Sequence, residues 1–224
     1  MLIAKNYQAF EIYLKKYPSS SILPISLHDC YWMEKIPNEY ADISLFVPDG
    51  MPVVYTSKLR TNKTVQRVYG PALMDRYLRE NCDQLHLLLG SKTVLTKLQK
   101  KFLGVAIFSL PHSDIVEELI SRELIEYVEK IQPNCIWIGI GSPKQVEFCY
   151  QLRKKFPRLR YFCVGAAFDF ISGEIPQAPI WMQQIGLEWL FRFLTDPLKY
   201  WKRYLIYSPI GLIRLLSKKI TIME

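Results

Sequence analysis

The chain has 224 residues, half of them apolar and 13% aromatic, with a net charge of +8. This length is enough for one sizeable α/β domain with a C-terminal extension and excludes two large domains. The positive charge favours an anionic partner, such as nucleic acid, anionic lipid or a phosphorylated small molecule. No uncharged apolar run reaches eighteen residues, so no membrane-spanning helix is expected.

The location of the charge narrows the choice of partner. Between Leu190 and Glu224 there are seven Lys or Arg residues against two acids, a net +5 interleaved with aromatic and aliphatic residues. Nucleic-acid binders more often carry such charge in a polar or Gly-rich setting, so we expect a membrane surface and no nucleic acid. The five cysteines lack CxxC spacing and predict buried, reduced thiols in a cytoplasmic protein. The charged N-terminus predicts no signal peptide.

Apolar strands alternate with helices along the chain. Residues 2–17 are predicted to form an amphipathic helix. The predicted strands are Ile22–Leu27, Ala41–Val47, Val65–Tyr69, Gln84–Leu89, Val105–Leu110, Cys135–Ile140 and, as the last, Arg160–Val164. The predicted helices between them start at Pro52, Pro71, Lys92, Ser113 and Lys144, and the one from Ser113 is long and runs to Ile131.

These strands are continuously apolar, which is typical of a parallel sheet covered by helices on both faces. The predicted fold is therefore an α/β, Rossmann-like parallel-sheet sandwich with a C-terminal amphipathic helical appendage. We place the α/β domain at residues 1–195 and a basic, aromatic, membrane-associating appendage at residues 196–224.

In such folds the ligand lies outside the carboxyl ends of the strands. The candidate binding residues at these ends are His28, Arg67, Gly70, Gly90, Gly139, Gly141, Lys144, Gln145, Gly165 and Asp169. Gly139 and Gly141 do not complete a dinucleotide fingerprint, because Lys144 occupies the third glycine position. The glycine-rich strand ends nevertheless suit phosphate binding at helix N-termini. Lys144 either adds charge to a diphosphate or is a solvated surface lysine.

Asp49 follows a predicted strand in a Pro-Asp-Gly turn. A carboxylate there can take a proton from an attacking hydroxyl, or it can cap the helix that follows, and the pattern alone slightly favours capping. His28 is the only histidine at a strand end. Asp169 lies between two phenylalanines, and we expect a structural role in the wall of the site. No two aspartates lie two apart, so no Asp-x-Asp metal clamp is present and no metal is expected.

The sequence of the C-terminal region predicts an amphipathic surface. Leu187, Leu190, Phe191 and Leu194 repeat at helical spacing, and Lys199, Lys202 and Arg203 follow beside tyrosine and tryptophan. Pro209 is expected to interrupt the helix. Basic helices with aromatic residues at the boundary are typical of a membrane interface. The alternative is a pair of helices packed on the sheet domain or on a second subunit.

Five motifs resemble the WecG/TagA/CpsF glycosyltransferases of bacterial surface-polysaccharide synthesis (glycosyltransferase family 26). They are PDGMPVV (48–54), RVYGPALM (67–74), IGIGSPKQ (138–145), VGAAFDFISG (164–173) and QAPIWMQQIGLEWLFRFLTDP (177–197), with KRY at 202–204. The resemblance implies an inverting, metal-independent transfer of a sugar from a UDP-sugar to a polyprenyl-diphosphate-linked sugar, without a cofactor. It implies that the enzyme is peripheral on the cytoplasmic face of the cell membrane.

The same resemblance implies roles for individual residues. Asp49 corresponds to the general base and Gln145 to a residue that lines the donor site. Arg203, with Arg192 or Arg214, corresponds to the cations that the appendage supplies to the diphosphate.

Two positions depart from the family pattern. Val146 follows Gln145 where relatives have glutamate, which leaves Glu147 as the nearest acid, and Ser26 replaces an asparagine that precedes His28. These departures support the alternative of a catalytically impaired sugar-nucleotide-binding or scaffold protein of a polysaccharide assembly complex. Ser26 remains a candidate binding residue, and a homo-oligomer remains open.

Overall fold

The computed structural model describes all 224 residues. Its strands are β1 (Leu2–Ala4), β2 (Ser21–Ile25), β3 (Leu45–Pro48), β4 (His86–Gly90), β5 (Ala106–Ser109), β6 (Cys135–Ile138), β7 (Arg160–Cys163) and β8 (Thr221–Met223). They form one sheet in the order β5-β4-β6-β7-β2-β3-β1-β8, and every pairing is parallel. The predicted parallel α/β sandwich is confirmed.

Fourteen α-helices and one π-helix surround the sheet. The first eight are α1 (Tyr7–Lys16), α2 (Leu27–Trp32), α3 (Pro37–Ala41), α4 (Met51–Thr61), α5 (Gly70–Glu80), α6 (Lys92–Lys101), α7 (Val116–Leu119) and α8 (Arg122–Ile131). The others are α9 (Lys144–Lys155), α10 (Ala167–Ser172), α11 (Ile180–Gln184), α12 (Glu188–Thr195), α13 (Pro197–Trp201), a π-helix (Lys202–Tyr207) and α14 (Ser208–Ser217). No helix is long and apolar enough to cross a bilayer.

Two apolar cores lie on opposite faces of the sheet, because alternate residues of a strand point to opposite sides. On one face, side chains such as Ile25, Ile138 and Tyr161 pack with α9 and with Leu215 of α14. On the other face, the rings of Trp137 and Phe162 stack with their centroids 3.9 Å apart, and both side chains pack with α1, α5 and α6. Continuous apolar strands are therefore required, as the sequence indicated.

Two sequence predictions near the edge of the sheet are wrong. Leu2–Ala4 is a strand rather than helix, and it takes the place beside β3, where Ile3 pairs with Phe46. The segment Val65–Tyr69 is not part of the sheet. It runs past the strand ends and makes single hydrogen bonds, from the Gln66 amide to Lys5 and from the Val68 amide to Pro48.

Three further boundaries differ from prediction. The long helix from Ser113 to Ile131 is two helices, because Ser121 caps α8 by accepting a hydrogen bond from the Leu124 amide. Pro209 does not interrupt the C-terminal helix, since the π-helix precedes it and Pro209 occupies the first turn of α14, where no amide hydrogen is needed. Arg160–Val164 is not the last strand, because β8 pairs with β1.

Candidate active site

A pocket of about 340 Å³ opens at the carboxyl ends of β2 and β3. Its floor comes from the residues that follow these strands, and its roof comes from α12, the π-helix and the start of α14. The polar side chains that line it are Ser26, His28, Asp49, Arg67, Glu188, Arg192, Arg203, Tyr204 and Ser208. Six candidate site residues named from the sequence therefore meet in one pocket (Ser26, His28, Asp49, Arg67, Arg192 and Arg203).

The Asp49 carboxylate is fixed by one of its two oxygens. Oδ1 accepts a hydrogen bond of 2.8 Å from the Gly70 amide at the start of α5, whereas Oδ2 has no hydrogen bond within the chain. The capping interpretation is thus partly correct, although the helix concerned is α5 and not α4, which has no side-chain cap. Burial raises the pKa of Asp49 against the opposing effects of Arg67 and the Gly70 amide. A partly buried carboxylate with one free oxygen is suited to accept a proton.

Arg67 connects the Asp49 loop to the roof of the pocket. Its Nε donates to the Asp49 carbonyl oxygen, and its other nitrogens donate to the Gln183 carbonyl at 3.2 Å and to Glu188 Oε2 at 2.7 Å. Glu188 also accepts from Arg192 at 2.5 Å and from the Tyr69 hydroxyl at 3.2 Å. The two arginines therefore share one buried carboxylate beside the candidate base.

His28 is neutral and its tautomer is determined by its neighbour. The Trp32 indole is only a donor and gives a 3.0 Å hydrogen bond to Nε2, so Nδ1 carries the proton of the neutral ring. Nδ1 is buried and has no partner in the chain. Burial, followed by the positive charge of Arg203, lowers the pKa of His28 to about 4. His28 is thus a hydrogen-bond donor at neutral pH.

Sequence reasoning missed Asp29, which joins the ends of β2 and β6. Its buried carboxylate accepts from the Ser26 amide at 2.9 Å and from the Ser26 hydroxyl at 2.6 Å. The hydroxyls of Tyr40 and Ser142 donate to its other oxygen. The Ser26 hydroxyl is therefore occupied in positioning the loop. An acid directly after a strand-end histidine was the available signal.

A second group of predicted residues lies at the ends of β6 and β7. Gly141 and Gly165 both have positive φ, +78° and +51°, and a Cβ on Gly165 would lie 3.3 Å from the Gly141 Cα and 3.1 Å from Gln145 Oε1. Gln145 donates to Ser142 at 3.0 Å, and its buried Oε1 has no partner. Because β6, β7, β2 and β3 are consecutive in the sheet, this group continues the edge that carries the pocket.

Gly90 and Gly139, the remaining predicted glycines at this edge, lie so close to a neighbouring ring that it limits the room for a side chain. A Cβ on Gly139 would lie 2.2 Å from the Phe168 ring, and one on Gly90 would lie 3.3 Å from it. Phe168 is buried and fills the space outside β4 and β6. The binding roles of Gly90 and Gly139 stay predictions, whereas their need to be small follows from this ring.

Lys144 and Asp169 are not among the residues that line the pocket. Lys144 donates to the Ser113 carbonyl at 2.6 Å and pairs with Asp114 at 2.8 Å, which turns it toward the loop after β5. Asp169 lies in α10, and burial raises its pKa. Its backbone carbonyl accepts the Glu174 and Ile175 amides, so the bonds it makes with the nearby backbone come from its main chain.

The C-terminal cations have different environments. Arg203 lines the pocket and forms no salt bridge with any carboxylate. Arg214 pairs with Glu34 at 2.9 Å and donates to the Tyr31 carbonyl, which places it in the contact between α14 and α2. Arg203 is thus available to a ligand, and Arg214 is engaged in packing.

The outer surface of the C-terminal region is apolar. Eleven of the seventeen exposed large apolar side chains lie between residues 180 and 216, among them Trp181, Leu198, Trp201 and Leu205. The inner side of the same region packs on the domain, where Leu215 is fully buried. The predicted alternative of helices packed on the sheet domain is therefore correct for α14, and the outer surface remains uncovered.

Comparison with known proteins identifies the family. The model of the glycosyl transferase WecG/TagA/CpsF family matches residues 23–223. The chain belongs to this family. The prediction of a glycosyltransferase from the sequence motifs is confirmed at this level.

Curated relatives carry one shared name. The chain is 25% identical over 192 residues to the N-acetylglucosaminyldiphosphoundecaprenol N-acetyl-beta-D-mannosaminyltransferase of Bacillus subtilis, covering 81% of this chain and 73% of that protein. Proteins of the same name from Bacillus spizizenii and Staphylococcus aureus are 28% and 27% identical over 167 residues. The match covers 71% of this chain and 63% of the length of each of these two relatives.

Proposed function

We propose that the protein transfers a sugar from a UDP-sugar to a polyprenyl-diphosphate-linked sugar in the synthesis of a bacterial surface polysaccharide. The observation that carries the proposal is the Asp49 carboxylate, with its free Oδ2, in a pocket that also contains Arg67, Arg192 and Arg203. The names of the relatives supply the substrate class. They make N-acetylmannosamine the first donor sugar to test and N-acetylglucosaminyl-diphosphoundecaprenol the first acceptor.

The proposed chemistry is a single displacement with inversion. The acceptor hydroxyl attacks the anomeric carbon, Asp49 Oδ2 takes the hydroxyl proton, and the bond between that carbon and the diphosphate oxygen breaks. UDP leaves with the bonding electrons, so its charge must be offset. Arg203, which has no carboxylate partner, is the cation we assign to this role. A cationic side chain can do this without a metal ion, and metal independence is therefore part of the proposal.

The apolar outer surface supports a peripheral location on the inner face of the cell membrane. Leu198 and Trp201 are 90% and 42% exposed, and Lys199 and Lys202 lie beside them. Such a surface suits the interface of an anionic bilayer, where a polyprenyl-linked acceptor is found.

The activity is tested by release of UDP from a panel of UDP-sugars, with a short-chain lipid-diphosphate-sugar acceptor and with EDTA in one arm. We expect transfer with EDTA present and its loss in Asp49→Asn, with UDP binding retained. Asp75→Asn, in a surface pair with Arg79, is the control. Near-normal turnover by Asp49→Asn would exclude the base, and UDP-sugar binding without transfer by the wild type would favour the non-catalytic alternative.

The membrane location is tested by sedimentation with vesicles that contain phosphatidylglycerol. The double variant Leu198→Ser, Trp201→Ser is expected to lose most of its binding. The control is Leu103→Ser, at an equally exposed leucine outside the C-terminal region. Unchanged binding by the double variant would refute the assignment of this surface.

A further inference from the structure

Glu188 is the most heavily bonded acid beside Asp49. Only 8% of the residue is exposed, and it accepts hydrogen bonds from Arg67, Arg192 and the Tyr69 hydroxyl. It is the first residue of α12, whereas Arg67 and Tyr69 belong to the segment before α5. One carboxylate therefore joins the roof of the pocket to the loop that carries the candidate base.

Without Glu188, the two arginines would have the Asp49 carboxylate as a nearby acceptor. Arg67 already donates to the Asp49 carbonyl oxygen, so its guanidinium is held next to the carboxylate. A salt bridge to Asp49 would consume the free Oδ2 and remove the base. Glu188 gives both guanidinium groups another acceptor, at 2.7 Å for Arg67 and 2.5 Å for Arg192.

We propose that Glu188 is a positioning residue that holds Arg67 and Arg192 off the Asp49 carboxylate and so keeps Oδ2 free to accept the acceptor's proton. The catalytic role of Glu188 rests on the proposed function. Its contacts with the two arginines and its effect on the pKa of Asp49 concern the protein without substrate. Glu188 itself touches no reacting atom in this scheme.

The charges around Asp49 set the direction of the expected effect. The groups that face it are Arg67 and Tyr69 from the segment before α5, Glu188 and Arg192 from α12, His28 from α2, and Arg203 and Tyr204 from the π-helix. Burial and the negative charge of Glu188 raise the pKa of Asp49, whereas Arg67 and Arg192 lower it. Neutralising Glu188 leaves the two arginines uncompensated, so the pKa of Asp49 must fall. Neutralising Arg192 must raise it.

The test is a pH titration of the aspartate carboxyl carbons by ¹³C NMR on the full chain, with no substrate present. The Asp49 signal is identified by its absence in Asp49→Asn. We expect the pKa of Asp49 to fall by about one unit in Glu188→Gln and to rise in Arg192→Gln. Glu174→Gln, which removes a glutamate paired with Lys97 outside the pocket, should leave it unchanged.

An unchanged or raised pKa in Glu188→Gln would overturn the inference, whether or not the protein transfers sugar. Should Glu188→Gln unfold, the inference is decided by Arg192→Gln, where an unchanged or lowered pKa overturns it. Failure of the proposed function is seen separately, as a wild type that shows the expected titrations and releases no UDP. With an active wild type, Glu188→Gln should lower kcat more than it changes KM, and the acid limb of its kcat/KM profile should move to lower pH.

Discussion

Gly211 decides how closely α14 packs on α2, and its replacement by alanine is a direct test of that contact. A Cβ at this position would lie 1.9 Å from the Leu27 carbonyl oxygen, 2.9 Å from the Leu27 carbonyl carbon and 3.2 Å from the Tyr31 amide nitrogen. All three are backbone atoms, so no flexible side chain can move away. The helices must separate by at least about 1.1 Å to reach the shortest contact that real Cβ atoms make.

Two opposing terms set the size of the effect. Overpacking of this kind costs about 1–3 kcal/mol, and the rigid backbone on both sides favours the upper end. Alanine regains about 1 kcal/mol of helix propensity over glycine. We expect Gly211→Ala to lower the free energy of unfolding by about 2 kcal/mol, which for a chain of this size lowers the Tm by about 4–8 °C.

The assay is thermal and urea unfolding followed by circular dichroism, together with kcat/KM. Activity should fall as well, because α2 carries His28 and α14 carries Ser208 on opposite sides of the pocket. Ile213→Ala is the control on the same helix, since Ile213 is 69% exposed and should change the Tm little. A Tm for Gly211→Ala equal to or above that of the wild type would refute the close contact.

Further outcomes follow from other contacts. Gly139→Ala should lower the free energy of unfolding by about 1–3 kcal/mol, because its Cβ would overlap the buried Phe168 ring. Gly90→Ala, whose Cβ would lie 3.3 Å from the same ring, should lower it less. Equal losses for the two variants in urea unfolding would contradict this reasoning. Asp49→Asn should be as stable as the wild type or more stable at pH 7, because a folded-state pKa raised by burial makes the ionised carboxylate unfavourable above that pKa, and a large fall in Tm would argue against it. Because the pKa of His28 is lowered to about 4, its contribution to the free energy of unfolding should be complete above pH 6.5, the pKa in the unfolded chain, and should decline as the pH falls toward 4. This contribution to the decline should be absent in His28→Gln.

The fold was predictable because its signals are local. Each of the strands β2 to β7 contains a continuous apolar run, whereas β1 and β8 were not predicted as strands. The predicted helices start near Pro, Gly or Ser residues that suit a first turn, as at α5, where Gly70 and Pro71 begin the helix. The segment Val65–Tyr69 has the same apolar character as a strand. It nevertheless lies outside the sheet, and the position beside β3 is held by Leu2–Ala4, more than sixty residues away in the sequence. Which of two distant segments pairs with a given strand cannot be read from a local pattern.

The site was predictable only in part, for a related reason. Asp49 and His28 could be named because strand ends in a parallel sheet share one edge. Arg67 was named on the predicted strand Val65–Tyr69, which the structure does not contain, and it reaches the pocket from the segment before α5. Glu188 could not be named, because its role depends on α12 folding back over that edge, and in the sequence it is one acid in an apolar helix. Gly139 shows that a glycine at a strand end can have a second reason. A glycine after a strand suggests room for a ligand, and here the contact with the Phe168 ring by itself already requires a glycine.

The roof of the pocket is held at both ends, which bears on how a membrane would act on it. At one end, Glu188 of α12 is bonded to Arg67 beside Asp49, and at the other, β8 is paired with β1 in the sheet. The segment between them carries Arg203 into the pocket and Leu198 and Trp201 to the outside. A bilayer that took up those apolar side chains would therefore exert a force on the helices that form the roof of the pocket. Under the proposed function, we expect membrane contact and access of the lipid-linked acceptor to be coupled through this segment.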